Sequence, residues 1–350
     1  MRIWESRVWG AILWPLSVLY GCGVKLRNML YDRGIFPSVR LKARVISVGN
    51  LTVGGTGKTP LVERLAQLLR DGGYKVAVSS RGYRRKGKSA VVVSDEQSVK
   101  IGAEEAGDEP FLLARRLPGV PVVVGKDRAK AGKLAVESWG CNVLLLDDSF
   151  QHLRIKRDFD IVVVDTTKLW GNGKLLPAGP LREPLSELKR ADAVVFSRID
   201  EGVSVDEKIE RIRRFTTAPV FLANHKPMEW VLISNGRTYP LGFLKQKFVL
   251  AFAGIGNPKS FQNTLMSLGV HVVDFVSFRD HYWYKLRDLN RMTQLAIRRG
   301  AVALVTTEKD GIRLPTPLEC EIPLYSLKID FEIVDGIEEL KRILDPVLTS

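Results

Sequence analysis

Lys58 and Thr59 close GNLTVGGTGKTP (residues 49–60), a glycine-rich run between a β-branched stretch (residues 44–48, RVISV) and a segment with Leu61, Leu65, Leu68 and Leu69 at helical spacing. Glycines at a strand-to-helix turn let backbone N–H groups wrap phosphate oxygens. A lysine there reaches the outer phosphates of a nucleotide and a threonine hydroxyl ligates Mg²⁺. Gly54, Gly55, Thr56, Gly57, Lys58 and Thr59 are therefore the candidate nucleotide contacts. The spacing departs from the usual G-x-x-x-x-G-K-[ST], since position 52 is threonine. Asp147 and Asp148 end residues 142–148 (NVLLLDD), where an apolar run leads into two carboxylates. A strand buried on both faces would deliver such a carboxylate beside the phosphate loop, where Mg²⁺ is held.

Other residues carry weaker signals. Residues 80–88 (SRGYRRKGK) form a glycine-broken basic loop after a second apolar run, readable as an anion contact or as a solvated turn. Asp108 lies in residues 103–110 (AEEAGDEP), where acidic groups opening a helix ordinarily complement its dipole. Arg128 follows an apolar strand pattern at a helix start, and Arg182 and Glu183 belong to a long Pro/Gly loop, residues 173–184, of a kind that is usually functional. Gly254 and Gly256 resemble half a dinucleotide fingerprint, but Lys259 stands where its last glycine would be.

Positioning these groups requires alternating buried strands and helices, which predict an α/β fold: a P-loop parallel sheet with helices on both faces. The pattern changes around residues 230–239, where Asn235-Gly236 signals a hairpin. The expected layout is an N-terminal segment (1–43), a nucleotide-binding domain (44–226), a β-hairpin linker (227–246) and a smaller α/β lobe (247–350). Residues 8–24 are uncharged, contain Trp9 and Trp14, and are flanked by Arg2, Arg7, Lys25 and Arg27. They read as an interfacial membrane anchor, with a spanning helix or a helix packed on its own domain as alternatives. Cys22, Cys141 and Cys320 are widely spaced and support neither a disulfide framework nor a zinc site. The net charge of +14 suits an acidic partner, whether nucleic acid, an anionic membrane surface or a phosphorylated substrate. The basic residues are dispersed without a recognition motif, so nucleic acid is not expected.

The segments GNLTVGGTGKTP, SRGY, GDEP, LDDSFQH, LPAGPLREP, FRDHYWY and TTEKD, in this order, resemble the tetraacyldisaccharide 4'-kinase (lipid A 4'-kinase) family over most of the chain. The resemblance implies an inner-membrane-associated P-loop kinase acting at the cytoplasmic face. It would move the γ-phosphate of ATP, with Mg²⁺, to the 4'-hydroxyl of a tetraacylated glucosamine disaccharide 1-phosphate, and it implies no obligate protein partner. Carried over by residue, it makes Lys58 and Thr59 the phosphate and Mg²⁺ contacts and Asp147 and Asp148 the metal-side carboxylates. Asp108 becomes the base, His281 its orienting partner, and Tyr83, Arg128, Arg182 and Glu183 substrate- or nucleotide-side contacts. The family has glycine where this chain has Ser149; if that position needs positive φ, serine strains residues 149–152. The runner-up class is a membrane-recruited switch ATPase of the partitioning type, but that group has a lysine where this chain has Val53.

Overall fold

The computed structural model describes residues 7–83, 85, 87, 89–199, 204–317 and 320–349, so Arg2, Arg84, Lys86 and Lys88 of the expected basic flank and loop lie outside the described residues. The chain divides into two compact units, residues 1–224 with 331–350 and residues 225–330.

The first unit opens with two helices, α1 (Arg7–Ile12) and α2 (Trp14–Asp32). Then follow β1 (Arg44–Gly49), α3 (Lys58–Asp71), β2 (Val76–Ser80), β3 (Val91–Ser94), α4 (Ala103–Ala106), α5 (Asp108–Arg116), β4 (Val122–Val124), α6 (Arg128–Trp139), β5 (Val143–Asp147), β6 (Phe159–Asp165), β7 (Ala193–Ser197), α7 (Asp206–Arg213) and the start of β8 (Val220–Leu232). Its sheet runs β8-β7-β6-β1-β5-β2-β4-β3, parallel except for the edge strand β3. Alternate strand residues face opposite layers, as a period of two demands. Ile46, Val48 and Leu145 pack with Leu61, Leu65 and Leu113 from α3 and α5. Val45, Leu144 and Leu146 pack with Ala131 and Ala135 of α6. Both faces are covered, which is why β5 and β6 are mostly apolar and buried along their whole length. Strand β1 lies between β5 and β6; the chain builds β2, β4 and β5 on one side of it and then β6 and β7 on the other, and the carboxyl end at such a reversal is where a parallel sheet opens a ligand crevice.

The second unit holds the rest of β8, β9 (Thr238–Pro240), β10 (Phe248–Ala253), α8 (Pro258–Ser267), β11 (His271–Ser277), α9 (Leu286–Arg298), β12 (Ala303–Thr307), α10 (Glu308–Gly311) and most of β13 (Leu324–Asp335). Strands β11, β10, β12 and β13 are parallel neighbours. Val249, Ala251 and Ala253 pack with Phe261 and Leu265 of α8, while Leu250 and Phe252 pack with Leu289 and Met292 of α9.

The divisions differ from the expected ones. The hairpin forms, with β8 antiparallel to β9 and Gly236 at φ 73°, but β8 is one long strand and the hairpin belongs to the second unit. Residues 331–350 return to the first unit, because Phe331, Ile333 and, from α11 (Ile337–Thr349), Leu340 and Leu344 complete its core. Chain order had placed them with the preceding lobe; apolar burial places them in the core of the first unit.

Helix α2 buries Ser17, Gly21, Val24 and Asn28, a narrow and mostly small or polar face. Ser17 Oγ donates to the Leu175 carbonyl at 2.9 Å and accepts from the Ala178 N–H at 2.8 Å. A Cβ on Gly21 would lie 2.7 Å from Leu175 Cδ1, so glycine permits the close approach. Trp14, Leu16, Val18, Leu19, Leu26 and Met29 remain exposed. Among the described residues no helix is long and apolar enough to cross a membrane.

Candidate active site

The glycine-rich loop joins β1 to α3 with Gly54 and Gly57 at φ 123° and 92°, conformations closed to most side chains. Gly57 precedes Lys58, the first residue of α3, so the loop's N–H groups and the helix N-terminus share one end of the unit. Two residues brace the loop from beneath. Asn50 Nδ2 donates to Thr56 Oγ1 at 3.1 Å, and Ser197 Oγ, at the end of β7, donates to the Thr56 carbonyl at 2.8 Å. A Cβ on Gly49 would fall 2.5 Å from Phe150 Cβ, so the turn after β5 lies directly against the end of β1.

That contact brings Asp147 and Asp148 to the loop. Thr59 Oγ1 faces both Asp147 carboxylate oxygens at 3.4 and 3.3 Å, longer than a tight hydroxyl bond, and Ser80 Oγ donates to Asp147 Oδ2 at 3.1 Å. Asp148 has left-handed backbone, φ 50°, which turns its carboxylate to Lys58 Nζ at 3.6 Å and Arg182 Nη1 at 2.7 Å. Burial, aided by the Glu109 and Asp148 carboxylates, pushes Asp147 up to about 6. Burial acts on Asp148 in the same sense, but Lys58 and Arg182 outweigh it and hold that carboxyl well below the usual range. Cations face both carboxylates, but at Asp147 burial and the neighbouring carboxylates outweigh Arg128 and Lys58, whereas at Asp148 the cations prevail.

Arg128 is the first residue of α6, behind the Asp127 cap, whose carboxylate accepts from Ala129 N and Lys130 N. Its guanidinium is buried, 3% exposed, and Nη2 donates to the Asp147 carbonyl at 2.6 Å. Arg128 Nε and Nη1 have no hydrogen-bond partner among the described residues, and burial lowers the group to about 10. Orphaned buried donors of a cation beside a glycine-rich loop fit an anion such as a nucleotide phosphate. The Thr59 hydroxyl and the Asp147 and Asp148 carboxylates are hard oxygen donors that fit Mg²⁺, an ion that completes its shell with water and phosphate oxygens. No cluster of three or more His, Cys, Asp or Glu able to hold a metal occurs among the described residues, and this manner of binding needs none.

Asp108 is 6% exposed and opens α5 after Gly107, which sits at φ 91°. Its Oδ1 accepts from the Glu109 N–H at 3.0 Å. A Cβ on Gly107 would meet the Tyr83 carbonyl at 3.2 Å, so the SRGY and GDEP segments touch, with the Tyr83 side chain exposed. Glu183 is placed differently. It is fully buried, and its carboxylate accepts from Arg27 at 2.7 Å, Asn28 at 3.1 Å, Gln151 at 3.3 Å and Arg190 at 2.6 Å. Its oxygens hold α2 and the loop together instead of facing outward. His281 belongs to the second unit, at φ 60°, its N–H donating to the Gly254 carbonyl at 3.1 Å. Gly254 serves that turn, which gives the half-fingerprint a local packing reason.

Sequence reading passed over Ser80, Ser197 and Asn50. The signal was present in part, since the first two end apolar strand runs, where parallel sheets place ligands.

A family model described as "LpxK: Tetraacyldisaccharide-1-P 4'-kinase" matches residues 9–349. The chain is 43% identical over 349 residues to the tetraacyldisaccharide 4'-kinase of Syntrophus aciditrophicus (strain SB), covering 95% of this chain and 93% of the relative. It is 42% identical over 347 residues to that of Desulfatibacillum aliphaticivorans, covering 95% and 92%. The crystal structure of LpxK from Aquifex aeolicus in complex with ATP matches with a TM-score of 0.79 at 36% identity, over 97% of this chain and 99% of that one. With a glycine-rich loop, a threonine and paired aspartates already assembled on one parallel sheet, these matches show that the chain belongs to the tetraacyldisaccharide 4'-kinase family.

Proposed function

We propose that the chain transfers the γ-phosphate of ATP to the 4'-hydroxyl of a tetraacylated glucosamine disaccharide 1-phosphate, a step of lipid A biosynthesis. The observation that carries this reading is the convergence of Lys58, Thr59, Asp147 and Asp148 at the ends of β1 and β5, in a chain of this family. Phosphoryl transfer asks little covalent work of a protein, so positioning and charge dominate. The loop and Lys58 hold the nucleotide phosphates, and the orphaned N–H groups of Arg128 offer a further anion contact. Mg²⁺, held by Thr59 with Asp147 and Asp148, would supply charge neutralisation on the phosphates. Asp108 accepts the proton of the sugar hydroxyl, and His281 assists as its partner. Tyr83 and Arg182 act on the substrate or nucleotide side.

An acceptor with several acyl chains stays in a bilayer, so the enzyme works at its surface. The exposed apolar side of α2, with a strongly basic chain, supports binding to the cytoplasmic face of the inner membrane. No obligate protein partner enters this reading.

The test is transfer of label from γ-labelled ATP to a detergent-dispersed tetraacyldisaccharide 1-phosphate with Mg²⁺, for wild type and Asp108→Ala. Labelled bisphosphorylated lipid should form with wild type, and Asp108→Ala should be slower by about 10²–10⁴-fold with ATP binding kept. Release of free phosphate without labelled lipid would instead favour a switch ATPase. An equal fall in rate and ATP affinity would make Asp108 a nucleotide contact or helix cap.

A further inference from the structure

Within the second unit, Asp310 is 0% and Arg313 1% exposed, an ion pair closed from water at 3.2 Å. Such pairs gain little net stability over apolar packing, so their presence calls for a geometric reason. Every bond the Asp310 carboxylate makes points to one. Asp310 Oδ2 accepts from Thr307 Oγ1 at 2.6 Å, and the Thr307 hydroxyl in turn accepts from the Asp310 N–H at 3.1 Å, locking the residue at the start of α10. Asp310 Oδ1 accepts from Tyr284 Oη at 2.9 Å, from Arg313 Nη1 and from the Gly254 N–H at 3.0 Å. Arg313 Nη1 also donates to the Gly254 carbonyl at 2.8 Å. Two residues therefore grip both ends of Gly254, just past the end of β10.

The Gly254 carbonyl is the same atom that accepts the His281 N–H, at 3.1 Å. Around it the chain turns tightly. Tyr282 N–H donates to the Arg279 carbonyl, and Tyr284 N–H donates to the Arg313 carbonyl, each at 3.1 Å. A Cβ on Gly254 would lie 3.0 Å from the Arg279 carbonyl, 3.1 Å from Tyr284 Oη and 3.2 Å from Asp310 Oδ1, so the turn closes directly on the glycine. His281, at φ 60°, holds a left-handed conformation that is uncommon for residues other than glycine.

We propose that Asp310, Arg313 and Tyr284 are positioning residues for phosphoryl transfer: they fix the Gly254 peptide, and its carbonyl holds the His281 backbone in place. The inference rests on the role given to His281 above. None of the three touches substrate; each acts through the histidine. The TTEKD segment thereby acquires a task, with Thr307 and Asp310 as its working residues.

The experiment measures kcat and KM for ATP in the transfer assay for Tyr284→Phe, Asp310→Asn and His281→Ala, and for each of the first two combined with His281→Ala. The His281 imidazole is followed in parallel by NMR, assigned by its loss in His281→Ala. Asp310→Asn should lower kcat by up to about 10²-fold, and Tyr284→Phe by less, with KM for ATP unchanged. Neither should lower it further once His281 is alanine, and both should shift the His281 resonances. Tyr284→Phe removes one hydroxyl from a packed ring, so it keeps the test open if Asp310→Asn does not fold. Losses that multiply in the double variants, or an unmoved His281 signal, would overturn the inference and leave the network a stabilising core element. Wild-type turnover by His281→Ala would remove the histidine from the reaction, a failure of the catalytic reading that the NMR comparison separates from a failure of the anchoring.

Discussion

Asp148, not Ser149, carries the left-handed backbone after β5. Ser149 is fully buried, its Oγ donates to the Asp147 carbonyl at 3.0 Å and its N–H to the Val48 carbonyl at 3.2 Å. The expected strain at that position is absent because the turn is made one residue earlier, where swinging the carboxylate toward Lys58 and Arg182 compensates the conformational cost. Ser149→Gly should accordingly lower stability by about 1 kcal/mol, through a lost hydrogen bond and a freer unfolded chain. Urea unfolding checks this, and a stabilised variant would show that serine is strained after all. Glu183 teaches the same lesson in reverse. A loop carboxylate that looked available for a ligand is taken up by Arg27, Asn28, Gln151 and Arg190, and removing it would strip Arg27 of its carboxylate and leave the buried Arg190 with Glu187 alone.

Helix α2 inverts the usual amphipathic arrangement. Its docking face is Ser17, Gly21, Val24 and Asn28, held by hydrogen bonds and close backbone approach, while its larger apolar side chains stay outside. A helix that docks this way keeps its hydrophobic surface for another apolar phase. Leu16 and Leu19 are 54% and 68% exposed, so replacing both by aspartate should leave the melting temperature nearly unchanged. Partitioning onto anionic vesicles should fall by about 10²-fold or more, given roughly 1.5–3 kcal/mol per leucine buried. Co-sedimentation measures it; equal binding by the variant would take α2 out of the membrane contact. Asn28 Nδ2 bridges Glu183 and Glu187, so this helix is also tied to the loop that supplies Arg182.

For the molecule as a whole, buried titratable groups of opposite tendency set the response to acid. His152 is pushed down to about 4 by burial and by the nearby cations Arg128 and Arg81. The unfolded chain binds that proton near pH 6.5 and the folded chain does not, so stability from this group is present above 6.5 and lost as pH falls towards 4. Asp160, raised to about 6 by burial despite Arg157 and Arg190, acts oppositely: its contribution is present below 3.8 and lost as pH rises through 6. The two windows overlap, so the informative quantity is a difference between proteins. Relative to His152→Gln, wild type should lose stability between pH 7 and pH 5, as read by urea midpoints at each pH. Parallel midpoints would mean that His152 is protonated as easily in the folded chain as in the unfolded one.

Local signals were enough for much of the first unit. GGTGKT between a β-branched run and a helical repeat, and four aliphatic residues before Asp147, announce strand, loop and helix because each depends on neighbours along the chain. Alternating buried segments likewise announced a covered parallel sheet. What needed packing in three dimensions was every choice in which distant residues compete for one partner. Arg128 could have faced solvent, and burial beneath Asp147 turned it into a donor with two nitrogens unmatched among the described residues. Residues 331–350 follow the second unit in order but join the first, since its core offers the apolar surface that Phe331 and Leu340 require. Asp310, within a legible TTEKD segment, acquires meaning only once Tyr284, Arg313 and Gly254 meet around it, because a buried carboxylate is defined by the donors that folding assembles, and these lie up to 56 residues from it.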